Sequence, residues 1–284
     1  MNIRDLLKKG EKELNIFNIE ESNLKVKLLL SNLLGKNKEY LLIHDFKEID
    51  EAVEKDFWNG IDKLKKGEPI QYIIEKQEFY GMEFFVNKNV LIPQPDTEIL
   101  IIETVDIIKN NYTKDNLKIL DLCTGSGAIA IAIKKDVDKN RGKQNEIWAS
   151  DISLEALEVA KINSKKNNAE IKFIESDLFN NINEKFDLIV SNPPYIETKV
   201  IEELSIEVQN EPKLALDGGI DGLNFYRKIA KEARNFLNID GTIVVEIGYN
   251  QKDKVIEIFE ENNYKEIYAK KDFSGNDRIV VAKI

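Results

Sequence analysis

From Lys118 to the C-terminus, short runs of strand formers alternate with longer segments of helical period, and this alternation limits the possible folds more than any other feature of the chain. Strands are predicted at 118–122, 146–150, 170–174, 186–190, 241–247, 264–269 and 278–283. Helices are predicted at 127–136, 153–167, 198–209, 222–237 and 250–262. Such a pattern needs crossover connections, which build an open α/β sheet, largely parallel, with helices on both faces. Ligands of these sheets sit beyond the carboxyl ends of the strands. The loops that follow strands are therefore where chemistry is expected.

The first part of the chain reads differently. Residues 1–68 are predicted helical. Asn18 and Glu21 suggest an N-cap and N3 pair, Leu24, Val26, Leu28, Leu29, Leu30 and Leu33 form a broad apolar stripe, and Gly35 suits the position after a helix. A second helix is expected from about Ile49 to Lys66, with Val53, Phe57, Ile61 and Leu64 on one face and Gly67 and Pro69 as its stop. Ile70 to Ile74 and Phe84 to Val86 are rich in strand formers around Gly81, which predicts a β-hairpin. Pro93 and Pro95 then lead into a helix near Asp96. The expected organisation is a helical domain at 1–68, a hairpin linker at 69–95 and an α/β domain at 96–284.

Composition narrows the function. With 42% hydrophobic and 32% charged residues, the 284-residue chain is expected to be soluble and globular. Apolar runs such as Ile129 to Ile133 are too short to span a bilayer, and no export signal follows Met1, so a cytoplasmic location with no membrane partner is expected. The single cysteine, Cys123, excludes an internal disulfide, and the single histidine, His44, leaves no metal-ligand cluster to propose. Acidic residues outnumber basic ones, 51 to 41, for a net charge of −10. Proteins that grip a nucleic-acid backbone gather positive charge, so no direct nucleic-acid partner is expected.

Two motifs carry chemistry. The first is the turn Cys123-Thr124-Gly125-Ser126-Gly127, after a predicted strand that ends with Asp121-Leu122. Glycines there let a ligand approach the backbone. Asp151 closes the next strand, where its carboxylate can accept hydrogen bonds from both hydroxyls of a ribose. The fuller glycine spacing of dinucleotide enzymes is missing, and no Walker-type Lys-Ser/Thr follows. Cys123 has no histidine nearby in sequence and reads as a turn residue rather than a nucleophile. The second motif is Asn192-Pro193-Pro194-Tyr195, after the strand at 186–190. An amide or aromatic amine nitrogen is a poor nucleophile because its lone pair is delocalised. The Asn192 side-chain oxygen and the Pro193 carbonyl can each accept one N–H, while Pro194 stiffens the loop and Tyr195 offers a flat wall. With a sulfonium methyl donor, S-adenosylmethionine, no strong base is needed, and positioning carries the rate. Both motifs also have a plain reading, as a strand–turn–helix connection and a strand terminator.

At these residues the chain resembles the HemK-type (PrmC) release-factor-specific protein-glutamine N5-methyltransferases. The resemblance runs from about Ser22 to the end. It includes Leu28-Leu29-Leu30 to Leu34-Gly35, Gly67-Glu68-Pro69-Ile70-Gln71-Tyr72-Ile73, Leu91-Ile92-Pro93-Gln94-Pro95-Asp96-Thr97-Glu98, the glycine turn, Ser191 to Ile196, Glu211 to Gly219 and Asp277-Arg278-Ile279-Val280-Val281. It implies a class I S-adenosylmethionine-dependent methyltransferase fold, Rossmann-like with a mostly parallel seven-stranded sheet, and an N-terminal helical domain that docks the protein substrate. It further implies that Cys123, Thr124, Gly125, Ser126, Gly127 and Asp151 hold the cofactor and that Asn192 to Tyr195 hold the substrate glutamine. Asp177, Leu178 and Phe179 would lie beside the adenine, and Asn192 would also reach the cofactor. Gln94 replaces the family's usual Arg, which puts any charge contact there in doubt, and Leu178 a frequent Trp, so that adenine stacking is either weaker or supplied by Phe179. Two other functions are open on the residues alone: a DNA or RNA amino-methyltransferase that flips a base into the same Asn-Pro-Pro-Tyr pocket, and a cofactor-binding adaptor without activity.

Overall fold

The computed structural model describes residues 1–113, 116–141 and 145–284. The chain forms two compact units, one made of residues 1–76 with 205–210 and the other of 77–204 with 211–284.

The first unit holds α1 (Ile3–Ile16), α2 (Ser22–Leu34), α3 (Lys38–Ile43), α4 (Glu51–Lys65) and α5 (Ile70–Ile74). Ile3, Leu6, Leu14, Val26, Leu29, Leu30, Phe57, Ile61 and Leu64 close its core. Gly10 and Gly60 allow that closeness, because a Cβ at Gly10 would lie 2.7 Å from the Phe57 ring and one at Gly60 2.6 Å from Leu29. Gly35 takes the left-handed conformation expected after α2. The expected Asn18 cap is not made. Asn18 instead adopts φ 54° just past α1, where its N–H and that of Ile19 bond back to Asn15 and Leu14. Glu21, also left-handed, precedes α2 with no side-chain cap.

Residues 70–74, predicted as a strand, are helical. A short apolar run fits either a buried strand or a buried helix. Here the Pro69 carbonyl accepts the Tyr72 and Ile73 N–H groups, and Ile70 and Tyr72 are buried. The hairpin lies later, as β1 (Gln77–Phe79) and β2 (Met82–Phe84), joined by Tyr80 and Gly81 at φ 51° and 68°. The expected linker at 69–95 is thus divided, with α5 in the helical unit and the hairpin in the sheet unit.

The second unit continues with a 3₁₀ turn at Pro95–Thr97, α6 (Glu98–Asn111), β3 (Lys118–Leu122), α7 (Ala128–Arg141), β4 (Glu146–Asp151), α8 (Leu154–Lys166), β5 (Ile171–Glu175) and β6 (Phe186–Ser191). α9 (Ile206–Gln209) belongs to the helical unit, where Lys25 pairs with Glu207 and Asn210 Nδ2 donates to the Gly67 carbonyl at 2.9 Å. α10 (Lys213–Leu216), α11 (Asn224–Ala233), β7 (Leu237–Glu246), α12 (Lys252–Glu261), β8 (Lys265–Lys271) and β9 (Asp277–Lys283) complete the chain. The helix predicted at 198–209 is therefore two short pieces, a 3₁₀ turn at Ile201–Glu203 and α9, broken where the Ser205 side chain caps α9.

The seven-stranded sheet runs β5-β4-β3-β6-β7-β9-β8, and β9 alone is antiparallel to its neighbours. Its central strands are buried on both faces, whereas the edge strands β5 and β8 are partly or largely exposed. Ile119, Leu188 and Val190 pack with α6 and α7, whereas Leu120, Ile189, Ile243 and Val245 pack with α11 and α12. Strand order reverses between β3 and β6. Leu122 pairs with Ser191 on one side and with Ser150 on the other. The two sequence motifs and Asp151 therefore leave the same edge of the sheet side by side. Among the described residues no helix is long and apolar enough to cross a membrane.

Candidate active site

A cavity of about 540 Å³ opens at this edge, within the range of small-molecule sites. Its wall includes Cys123 to Ser126, Asp151, Asp177, Leu178, Asn192 and Pro194. Nine of the predicted residues thus meet in one place.

The turn after β3 is held from below. Asp121 is fully buried, and its Oδ2 accepts from the Thr124 hydroxyl at 2.6 Å and from the Ala130 N–H at 3.1 Å. Burial raises its carboxyl to about 7. Cys123 sits at φ 60°, and burial raises its thiol, so it is no thiolate. Gly125 has φ 53°, and a Cβ there would meet nothing within 4 Å, because it would project into open space. Gly127 has a different task. It does not line the cavity, and a Cβ there would stand 3.0 Å from that of Ala160 on α8. Asn163, also on α8 and fully buried, clamps the region. Its Oδ1 accepts the Phe85 N–H at 2.6 Å, and its Nδ2 donates to the Phe85 and Ser126 carbonyls at 2.9 Å each.

Asp151 Oδ2 accepts the Gly125 N–H at 2.8 Å and Oδ1 the Ser153 N–H at 3.0 Å. Burial raises its carboxyl against the pull of these backbone donors. Each oxygen retains acceptor capacity for a hydroxyl. An open space beyond Gly125, a rigid carboxylate with spare lone pairs and an apolar floor fit the ribose and adenine of S-adenosylmethionine. Leu178, at φ 48°, presents itself to the cavity. Phe179 does not. It stacks on Phe236 at 4.7 Å inside the core, so the expected adenine contact from Phe179 is not available.

Asn192 faces the cavity, and its Nδ2 lies 3.4 Å from the Thr97 hydroxyl oxygen. In this orientation Oδ1 is left as an acceptor toward the cavity. Pro193 and Tyr195 do not line the cavity. The Tyr195 hydroxyl lies 3.4 Å from Oε1 of the buried Glu246, and the Tyr195 carbonyl accepts from Gln251 Nε2 at 2.9 Å. Residues not chosen from the sequence complete the wall, among them Leu91, Gln94, Thr97, Leu214 and Phe225. Leu91, Gln94, Thr97 and Leu214 lie in the stretches 91–98 and 211–219, whose resemblance to the family was the available signal. Gln94 spends its amide on the Ile92 carbonyl at 3.1 Å. Glu211 accepts the Ile92 N–H at 2.9 Å, and burial raises its carboxyl to about 7.

Comparison with known proteins agrees with this geometry. The model of the PrmC N-terminal domain matches residues 5–74, and that of the methyltransferase small domain matches residues 102–210. A release factor glutamine methyltransferase of Clostridium acetobutylicum is 41% identical over 289 residues, covering 99% of this chain and 98% of the relative. One of Haemophilus influenzae is 35% identical, covering 98% and 95%. Among solved structures, a methyltransferase from Pyrococcus furiosus aligns with a TM-score of 0.52 at 18% identity, over 72% of this chain and 90% of that one, a likeness of fold alone. Matched along nearly its whole length by such relatives, the chain belongs to the family of release factor glutamine methyltransferases.

Proposed function

We propose that the protein transfers a methyl group from S-adenosylmethionine to the side-chain amide nitrogen of a glutamine in a peptide-chain release factor. The observation that carries this reading is the convergence of the glycine turn, Asp151 and Asn192 on one cavity at the point where strand order reverses. The cofactor supplies its methyl group as a sulfonium. Asp151 accepts from the ribose hydroxyls, and the bare backbone of Gly125 makes room for it. Asn192 Oδ1, at the cavity wall, accepts one N–H of the glutamine amide, and the carbonyl of Pro193, a residue that does not itself line the cavity, is the proposed acceptor of the other. They hold the nitrogen face-on and stabilise positive charge as it grows there. As the new N–C bond forms, the methyl–sulfur bond breaks with its electron pair left on sulfur as a neutral thioether, and the amide sheds one proton to water, so no strong side-chain base is required. Tyr195 backs this loop and fixes its path. The helical unit is proposed to dock the release factor, a role supported by large exposed apolar side chains such as Ile43 and Phe46.

The test is mass spectrometry of a purified bacterial release factor after incubation with the protein and labelled S-adenosylmethionine. One methyl group on one glutamine is expected, with intact release factor a better substrate than a short peptide. Label on RNA or DNA, with none on the release factor, overturns the reading.

A further inference from the structure

A closed circuit of hydrogen bonds frames one side of the cavity, and one of its corners is a glutamate to which the reaction described above gives no task. The stretch 91–97 carries Pro93 and Pro95, which have no N–H to give, so a backbone ladder cannot hold its path. Side chains hold it instead. Glu211, itself buried, accepts the Ile92 N–H at 2.9 Å through Oε2. Gln94 Nε2 donates to the Ile92 carbonyl at 3.1 Å, and Gln77 Nε2 to the Pro93 carbonyl at 3.0 Å. From Glu211 the chain runs through α10 to Leu216, whose carbonyl accepts the Ile196 N–H at 3.0 Å. The Gly218 N–H then donates to the Ile196 carbonyl at 2.8 Å. Back along the loop after β6, Asn192 Nδ2 lies 3.4 Å from the Thr97 hydroxyl, which closes the circuit. All three stretches belong to the sheet unit.

Each stretch also supplies cavity wall. Leu91 and Gln94 come from the first, Leu214 and Ala215 from the second and Asn192 from the third. The glycine turn and Asp151 stand outside the circuit. Ile92 is buried, so its N–H has no water to turn to and depends on Glu211. We propose that this frame is the slot through which the substrate glutamine side chain reaches Asn192, and that Glu211 is the positioning residue that sets its width by tying the 91–97 stretch to the 211–216 stretch. The proposal rests on the reading of the protein as a glutamine methyltransferase. The apolar side chains of Leu91, Leu214 and Ala215 suit the methylenes of a glutamine, and Asn192 awaits its amide. The Glu211 carboxyl, raised to about 7 by burial, keeps an acceptor oxygen in either protonation state, so the tie needs the reach of the side chain rather than its charge.

Steady-state methylation of a purified bacterial release factor at saturating S-adenosylmethionine tests this, with calorimetry of cofactor binding on each variant as the folding control. Glu211→Asp keeps the charge and shortens the reach. It is expected to raise the KM for the release factor by roughly 10-fold, the scale of one buried hydrogen bond lost, with a smaller fall in kcat and unchanged cofactor affinity. Glu211→Gln keeps the reach and drops the charge, and is expected to recover most of that loss. Leu214→Ala, at an exposed position, is expected to raise the same KM by about 5-fold through lost apolar contact. A wild-type KM in Glu211→Asp, or a loss in Glu211→Gln equal to that in Glu211→Asp, overturns the role of Glu211. Lost cofactor binding in Glu211→Asp makes the tie a general support of the fold and overturns that role as well. A wild-type KM in Leu214→Ala overturns the slot. Absence of any methyl group on the release factor with the wild-type protein overturns the reading of function and the proposal together.

Discussion

At the scale of single residues, Asp151 and Asn192 make opposite demands on an assay. Asp151 is expected to act in binding. Charge-assisted hydrogen bonds are worth about 1.5–3 kcal/mol each, so Asp151→Ala should weaken S-adenosylmethionine binding by at least about 10-fold in calorimetry. An unchanged affinity in a folded variant removes Asp151 from the site. Asn192 is expected to act in turnover. Asn192→Ala should slow the methyl-transfer step by about 10²–10³-fold, by analogy with lost oxyanion donors, with little change in thermal stability. Asn192→Asp keeps an acceptor and should retain more rate than alanine under the same saturating cofactor. Both residues were legible in the sequence because each belongs to a short motif that immediately ends or follows a strand. Thr97 was legible only as part of a stretch that resembles the family and Glu246 not at all, since only the folded sheet brings the 3₁₀ turn, the end of β7 and the loop after β6 together.

At the scale of elements, the site depends on how tightly loops are tied to helices. Asn163 on α8 satisfies three backbone groups, at Phe85 and Ser126. Each buried polar group left unpaired costs about 1–3 kcal/mol. Asn163→Ala is therefore expected to lower the stability of the sheet unit by several kcal/mol in denaturant unfolding, and to loosen the turn that carries Gly125. A loss below about 1 kcal/mol, the typical net value of one hydrogen bond, shows the clamp to be dispensable. Nearly all strands of the sheet were predictable to within a residue or two, because each is a run of strand formers bounded by turn residues, and the central ones are buried on both faces. The failures share a cause. Ile70 to Ile74 has too few residues to reveal a period, and the break at Ser205 follows from a segment that leaves for the helical unit. β7 begins earlier than the hydrophobic run suggests, at Leu237, because an irregularity between Phe186 and Leu188 admits Asn238 to Asp240.

At the scale of the whole molecule, Asp121, Glu211 and Glu246 each stand at about 7, raised by burial from ordinary carboxylate values. The folded chain keeps protons that the unfolded chain would release. The stability they lend is full below the ordinary carboxylate range and is lost as pH rises through about 7. Relief of the net charge of −10 acts in the same direction. The melting temperature of the cofactor-free protein is expected to be higher at pH 6 than at pH 8, with a smaller difference in Glu246→Gln. A melting temperature that is flat or rises over this interval contradicts the assignment. The path of the main chain carries a separate consequence for inheritance and engineering. The polypeptide crosses between its units at three points, after Lys76, before Ser205 and after Asn210. A gene segment cut at residue 76 would therefore lack α9, leaving Lys25 without Glu207 and Gly67 without Asn210. The helical unit is stitched rather than appended, so it cannot be exchanged between homologues as a simple N-terminal cassette, and a faithful graft must carry residues 205–210 with it.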